Sequence, residues 1–222
     1  MSEFFNTSSD RNVISLRLPI GVETMYRPGE KVFISADERS KSQSNHNNPE
    51  LQYDIQSANW YAYDENYGTS EEKKFVKYIA KQIDDLRKKY VGAEIYLIRN
   101  ELDYWLFSPQ DGRRFSPDYI LIVNDVTTGE MYYQCLIEPK GGHILDQEIW
   151  KEEALISLSD NSEIVFDSEE SDTQNYKEYL EEVSKHGYKE IKNLGLRFYN
   201  SEPRGEEDFA FDFQDKLYDL SH

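Results

Sequence analysis

The sequence predicts an α/β fold in which helices flank a mixed central β-sheet. One amphipathic helix is indicated near residues 70–90, several short apolar strands follow it, and a further helix and strand come later in the chain. Helices and strands in this order are typical of a domain whose sheet is covered by helices. The chain has 222 residues, which is enough for one such domain with a well-formed core.

The N-terminal part, residues 1–57, is predicted to be an extension that precedes the main domain. Short strands are indicated at residues 13–18 and 31–35, and the polar run at residues 40–48 has the composition of a mobile loop. The main domain is predicted to comprise residues 58–222.

The clearest helix is predicted at residues 70–90. Apolar residues recur there at steps of three and four, which gives the helix one apolar stripe. Thr69, followed by Glu72 three residues later, has the pattern of a capping box. Glu72 points near the middle of the stripe and Glu71 falls at its edge. A carboxylate at the helix start is therefore expected to face the core or a site on its rim.

The remaining elements follow from the alternation of apolar runs and turn residues. Strands are predicted at residues 94–99, 104–107, 115–123, 131–138 and 194–199, with turns at residues 108–112 and 125–130 and helices at residues 146–158 and 175–186. The strands at residues 115–123 and 131–138 are apolar on both faces, as expected of central strands with helices on each side.

Three charged residues stand on these two apolar strands. Asp118 is near the start of one strand, and Glu138 and Lys140 are at the end of the next. Side chains alternate along a strand, so Glu138 and Lys140 are expected on the same face. Unpaired buried charge is unfavourable, so the pattern indicates that Asp118 and Glu138 bind Mg²⁺, which prefers oxygen ligands. Glu71 or Glu72 could add a further ligand.

The chemistry that this arrangement would support is hydrolysis of a phosphodiester. Lys140 would position or deprotonate the attacking water, or stabilise negative charge on the phosphate. A structural interpretation stays open, in which Asp118 only starts a strand and Glu138 forms a surface ion pair with Lys140. In that interpretation Glu72 is a helix cap, and His143 in its Gly-Gly-His turn is a loop residue.

The composition restricts the class of protein. The net charge of −18 argues against a free-standing DNA binder, whose affinity would depend on basic residues. The excess acid lies mainly at residues 160–182, with nine acids and one lysine, and at residues 201–222, with seven acids and two bases. Residues 69–140 carry 12 acids and 11 bases, so the region of the candidate site is close to neutral.

The compartment is predicted to be cytoplasmic. The sequence has no apolar run of about 18 residues that could span a membrane, and its first residues lack the pattern of a signal peptide. The single cysteine, Cys135, excludes an internal disulfide and suits a reducing environment. Because Cys135 lies in an apolar strand, it is predicted to be a buried structural thiol.

Two short motifs resemble those of a known superfamily. Phe115-Ser-Pro-Asp118 and Ile137-Glu138-Pro-Lys140-Gly141 are similar to the motifs of PD-(D/E)xK nucleases. More narrowly, they resemble the C-terminal endonuclease domain in the restriction subunit of type III restriction enzymes. The segments that resemble that domain in the same order are residues 69–76, 96–101, 146–151 and 195–200. The similarity covers about residues 58–220.

The resemblance implies a restriction-endonuclease-like core and Mg²⁺-dependent cleavage of double-stranded DNA, with Asp118, Glu138 and Lys140 at its centre. Mn²⁺ is expected to substitute for Mg²⁺. Such domains normally follow a helicase-like ATPase in the same polypeptide. The expected partners are therefore an ATP-dependent translocase and, as a further candidate, a methyltransferase subunit, in bacterial or archaeal restriction or anti-phage defence.

Two other functions stay open at this stage. A catalytically silent module that keeps the nuclease fold would bind a partner protein, and the net charge of −18 is compatible with it. A nuclease that acts on RNA would differ only in its substrate. The sequence also leaves open whether the chain is a complete subunit or a fragment.

Overall fold

The computed structural model of the protein describes residues 41–100, 106–107, 113–124, 132–141, 145–160 and 191–218. Three helices and six strands lie in these residues. In chain order they are α1 (Ser70–Lys89), β1 (Glu94–Arg99), β2 (Leu106–Phe107), β3 (Arg114–Phe115), β4 (Tyr119–Asn124), β5 (Tyr132–Ile137), α2 (Leu145–Asp160), β6 (Ile191–Gly195) and α3 (Pro203–Tyr218).

The centre of the fold is a mixed four-stranded sheet with the strand order β1-β4-β5-β6. The pairs β1–β4 and β4–β5 are antiparallel, whereas β6 runs parallel to β5. A parallel neighbour requires a crossover connection, and α2 lies in the chain between β5 and β6. The predicted α/β class with a mixed sheet is therefore confirmed.

Burial of β4 and of the described side chains of β5, Cys135 to Ile137, agrees with the sequence prediction. Every residue of β4 is buried, and Cys135 on β5 is inaccessible to solvent. The prediction of a buried structural thiol is confirmed, and burial raises the pKa of that thiol far above its ordinary value. The core continues into the three helices and into the residues that precede α1.

The strand predicted at residues 115–123 is not continuous. Phe115 belongs to β3, which pairs with β2 in a separate two-stranded ladder, and β4 begins only at Tyr119. Pro117 lies in the gap and has no N–H group to donate to a ladder. The predicted strand is therefore interrupted at residues 116–118, and Asp118 lies immediately before β4, at one end of the main sheet.

The C-terminal part also differs from the prediction. The last strand of the sheet is β6 at Ile191–Gly195, and beyond it only an isolated bridge between Pro139 and Tyr199 continues the parallel pairing. The aromatic-rich end, for which the sequence predicted no element, forms α3. The residues at four-residue steps on its buried face are Phe209, Phe213 and Leu217. Pro203 at its first position fits a helix start, where the missing N–H costs nothing.

The helix predicted at residues 70–90 is confirmed as α1, together with its capping box. The Thr69 side chain accepts a hydrogen bond from the backbone N–H of Glu72, and the Glu72 carboxylate accepts one of 2.6 Å from the backbone N–H of Thr69. Arg87, Lys88 and Lys89 lie in the last turn, where positive charge interacts favourably with the helix dipole.

Residues before α1 are attached to it by buried polar contacts. The Gln43 side chain is fully buried and donates a hydrogen bond of 2.8 Å to the carbonyl of Lys73. The buried carboxylate of Glu65 accepts hydrogen bonds from the backbone N–H groups of Gln43, Ser44 and Asn66. Residues 41–48 of the polar run thus lie in turns and bends, as predicted for a loop, but buried contacts hold this segment against α1 and do not support the predicted mobility. The domain boundary at residue 57 stays a prediction.

Several predictions fall on residues that the structure does not describe. These are the strands at residues 13–18 and 31–35, the turns at residues 108–112 and 125–130, the helix at residues 175–186, and His143. Within the described ranges, none of the helices has the length and apolar character needed to cross a membrane. The cytoplasmic compartment stays a prediction.

Candidate active site

Asp118 and Glu138 lie side by side at one end of the sheet. The register of β4 and β5 pairs Tyr119 with Ile137, so the residue before the first and the residue after the second are neighbours. The backbone N–H of Asp118 donates a hydrogen bond of 3.0 Å to Oε2 of Glu138. On the β1 side, the backbone N–H of Asn100 donates to the carbonyl of Asp118 at 2.8 Å. Strand pairing thus fixes the positions of both residues.

Lys140 shares the face of Glu138, as the alternation along the strand predicted. Its Nζ lies 2.8 Å from Oε1 of Glu138, and the Glu138 side chain is only 2% exposed. The Lys140 backbone is held by the segment after β6, since its N–H donates to the carbonyl of Tyr199 and its carbonyl accepts from the Asn200 side chain. The ion pair considered in the structural interpretation exists, but it is buried and not on the surface.

Two residues of α2 complete the surroundings of Glu138. Nζ of Lys151 lies 3.4 Å from Oε1 of Glu138 and 2.8 Å from Oε1 of Glu148. Oε2 of Glu148 lies 2.8 Å from Nζ of Lys140. Glu148 is not among the predicted site residues, although an acid and a base three residues apart on the helix that follows the motif are a signal in the sequence.

The charges around Asp118 disfavour its ionised form. Burial, followed by the negative charges of Glu138 and Glu72, raises the pKa of Asp118 to about 7 from its ordinary value of 3.8. The positive charges of Lys140 and Lys151 oppose this increase in the pKa but do not cancel it. Asp118 is thus a carboxyl group that titrates near neutral pH.

The charged forms of Lys140 and Glu148, which pair directly with each other, are favoured by their partners. Burial would lower the pKa of Lys140, but the charge and hydrogen bonds of Glu138 and Glu148 raise it above its ordinary value. Burial would raise the pKa of Glu148, but hydrogen bonds from Lys140 and Lys151 lower it. The ammonium of Lys140 therefore remains protonated at neutral pH.

The two acids at the start of α1 point in different directions. Glu72 caps the helix through one oxygen, and its other oxygen lies 3.5 Å from Nε of Arg99. Glu71 instead accepts hydrogen bonds from the backbone N–H and the hydroxyl of Ser201. Only Glu72 influences the pKa of Asp118, so it is the helix carboxylate on the side of the candidate site. Its predicted capping role is confirmed, and metal binding by either acid stays a prediction.

The donor atoms of the site suit Mg²⁺. Asp118 and Glu138 provide carboxylate oxygens, and Mg²⁺ in proteins commonly uses one or two carboxylates while keeping several waters. A cation beside Asp118 would also lower the pKa of this residue, which burial and its acidic neighbours raise. Among the residues that the structure describes, no group of three or more His, Cys, Asp or Glu side chains could hold a metal ion.

Comparison with known proteins identifies one family and one relative. The family model described as "HI_1054_C: C-terminal domain" matches residues 41–206, about three quarters of the chain. A protein of Haemophilus influenzae, described as an uncharacterized protein, is 36% identical over 107 residues, which are 45% of this chain and 23% of that protein. The match thus spans about a quarter of the relative's length. No solved structure matches the chain.

Proposed function

The chain belongs to the HI_1054_C family, and we propose that it is a Mg²⁺-dependent DNA endonuclease with a PD-(D/E)xK core. The observation that carries this proposal is that Asp118, Glu138 and Lys140 lie together at one end of the sheet. Asp118 donates its backbone N–H to Glu138, and Lys140 forms a buried ion pair with the same carboxylate. These residues carry the motif resemblance, and the positions of α1, β1, β4, β5 and α2 along the chain support it.

Asp118 and Glu138 would hold the cation through their carboxylate oxygens. When bound, Mg²⁺ would polarise a phosphoryl oxygen and lower the pKa of a bound water. The protonated ammonium of Lys140 would donate hydrogen bonds to the phosphate oxygen that gains negative charge. Because the pKa of Lys140 is raised, this electrostatic role is favoured over a role as general base.

Nicking of supercoiled plasmid DNA in Mg²⁺ tests this proposal. We expect Asp118→Ala and Lys140→Ala each to reduce the cleavage rate at least about a hundredfold. Lys81→Ala is the matched control, because Lys81 is an exposed lysine on α1 and should leave the rate unchanged. Equal cleavage by the wild type and both site variants would reject the assignment.

The charge of the chain supports the proposal that DNA is brought to the site by a partner. A protein with a net charge of −18 has little electrostatic affinity for a phosphate backbone. A helicase-like ATPase, with a methyltransferase as a further candidate, would supply DNA binding in restriction or anti-phage defence. Cleavage by the isolated chain should accordingly be slow, and addition of such a motor with ATP should accelerate it.

The alternative from another class is a catalytically silent assembly module with the same fold. The net charge favours it, whereas the presence of all three motif residues speaks against it. Failure to bind Mn²⁺ or Mg²⁺ in a calorimetric titration, together with tight binding to a protein partner, would favour the silent module. An RNA substrate is distinguished by running the same cleavage assay on duplex DNA and on RNA of equal length.

A further inference from the structure

Four charged side chains form a closed ring at the candidate site. Lys140 and Lys151 each contact one oxygen of Glu148, both at 2.8 Å, and each also reaches Oε1 of Glu138, at 2.8 and 3.4 Å respectively. Two carboxylates and two ammonium groups thus alternate around the ring, and its formal charge is zero. Glu148 therefore takes part in holding both lysines.

The two carboxylates of this ring differ in their access to solvent. The Glu138 side chain is 2% exposed, and the Glu148 side chain is 27% exposed. A carboxylate as buried as Glu138 requires positive partners. Glu148 lies closer to solvent, where one carboxylate can hold two ammonium groups at lower cost.

Binding of a divalent cation at Glu138 would change the balance of the ring. Positive charges repel each other at these short distances, so a cation beside Glu138 weakens its ion pairs with Lys140 and Lys151. The lysines then need another acceptor within reach. Glu148 already contacts both of them through separate oxygens.

We propose that Glu148 is a positioning residue that retains Lys140 and Lys151 when a divalent cation binds at Asp118 and Glu138, and thereby sets the affinity of the site for that cation. This inference rests on the proposed function. It assigns Glu148 an action through the two lysines, which differs from a general contribution to folding.

Calorimetric titration of the full chain with Mn²⁺ tests this inference without measuring activity. We expect Glu148→Gln to weaken Mn²⁺ binding roughly tenfold, because both lysines then compete for Glu138. We expect Lys151→Gln to strengthen binding severalfold, because one competing ammonium is gone. In the double variant, the effect of Glu148→Gln should be smaller than in the wild-type background, since one of the residues through which it acts is missing.

Glu153→Gln is the matched control, since it removes an exposed acid from the same helix and should change Mn²⁺ affinity little. Equal weakening by Glu148→Gln and Glu153→Gln would overturn the inference, and so would an unchanged effect of Glu148→Gln in the double variant. If Glu148→Gln does not fold, Lys151→Gln decides alone, and unchanged or weaker binding by it overturns the inference. A wild type that binds no Mn²⁺ would overturn the proposed function as well.

Discussion

Asp118 and Glu138 are neighbours, but the charged groups closest to them differ. Glu138 has two ammonium groups beside one oxygen. The pKa of Asp118 is raised to about 7 by burial and by the negative charges of Glu138 and Glu72. At neutral pH, ionised Asp118 therefore destabilises the metal-free fold. A proposed ligand that costs stability is consistent with the trade-off common at functional sites.

The pH dependence of stability follows from the pKa of Asp118. Its pKa in the folded protein, about 7, lies above the ordinary value of 3.8. Between these two pH values, the folded protein therefore keeps a proton on Asp118 that the unfolded chain has lost. The contribution of this group to the free energy of unfolding thus falls as the pH rises from about 4 to about 7. In EDTA, we expect Asp118→Asn to stabilise the protein by at least about 1 kcal/mol at pH 8, and by less at pH 5.

Thermal unfolding at the two pH values measures this difference. Asp215→Asn is the control, because it removes an exposed aspartate from α3 and should show no comparable change between pH 5 and pH 8. A destabilised Asp118→Asn variant at pH 8 would contradict the electrostatic account of this residue.

The first turn of α1 stabilises the helix and also contacts residues around the candidate site. Glu72 belongs to the capping box and also lies on the side of Asp118. Glu71 links the same turn to Ser201, in the segment that follows β6. The start of α1 thus joins the residues around the sheet end, and the integrity of the cap bears on the geometry of the site.

Loss of the cap should destabilise the protein measurably. We expect Thr69→Ala to lower the free energy of unfolding by about 1 kcal/mol, because the N–H of Glu72 loses its acceptor. Thr69→Ser keeps the hydroxyl and should restore most of this loss. Urea denaturation of the three proteins provides the comparison, and equal stability of Thr69→Ala and the wild type would show that the cap contributes nothing.

The contact between α2 and β6 depends on a glycine. A Cβ atom on Gly195 would lie 1.8 Å from the carbonyl oxygen of Leu155, which is rigid helix backbone. We expect Gly195→Ala to destabilise the protein by at least about 1–3 kcal/mol, because the helix has to move away from the strand. Glu153→Ala on the exposed face of α2 is the control in the same denaturation experiment, and a Gly195→Ala loss no larger than that of the control would contradict the close packing.

For the whole molecule, the charge decides how nucleic acid can be engaged. The net charge of −18 opposes binding to any polyanion, although residues 69–140 are nearly neutral. The described part of the site contributes Lys140 and Lys151, and both are committed to ion pairs with acids. Neutralisation of many phosphates by this chain alone is therefore not expected.

DNA affinity of the isolated chain provides the corresponding prediction. We expect a dissociation constant weaker than about 10 μM for a duplex oligonucleotide at physiological salt. Fluorescence anisotropy with Ca²⁺ in place of Mg²⁺ measures binding without cleavage. Tight binding in this experiment would mean that recruitment of DNA lies within the chain and requires no partner.

The sequence predicted those elements whose pattern is local. The period of α1, its capping box, the two-sided apolar character of β4 and β5, and the burial of Cys135 all follow from residues close together in the chain. The prediction from sequence was wrong where local breaks or contacts with distant residues determine the element. Pro117 interrupted a strand that apolar content alone had extended, and the aromatic residues of α3 form a helix because they pack on the core.

What the sequence determined by itself is the α/β class and the residue types of the candidate site, Asp118, Glu138 and Lys140, because apolar periodicity and turn residues act over short distances. Only the tertiary structure decided how these residues meet. The register of β4 against β5 brings Asp118 to Glu138 across 20 positions, and α2 brings Glu148 and Lys151 to the same carboxylate. Strand register and helix packing depend on residues far apart in the chain, because they are determined by which apolar surfaces become buried against each other.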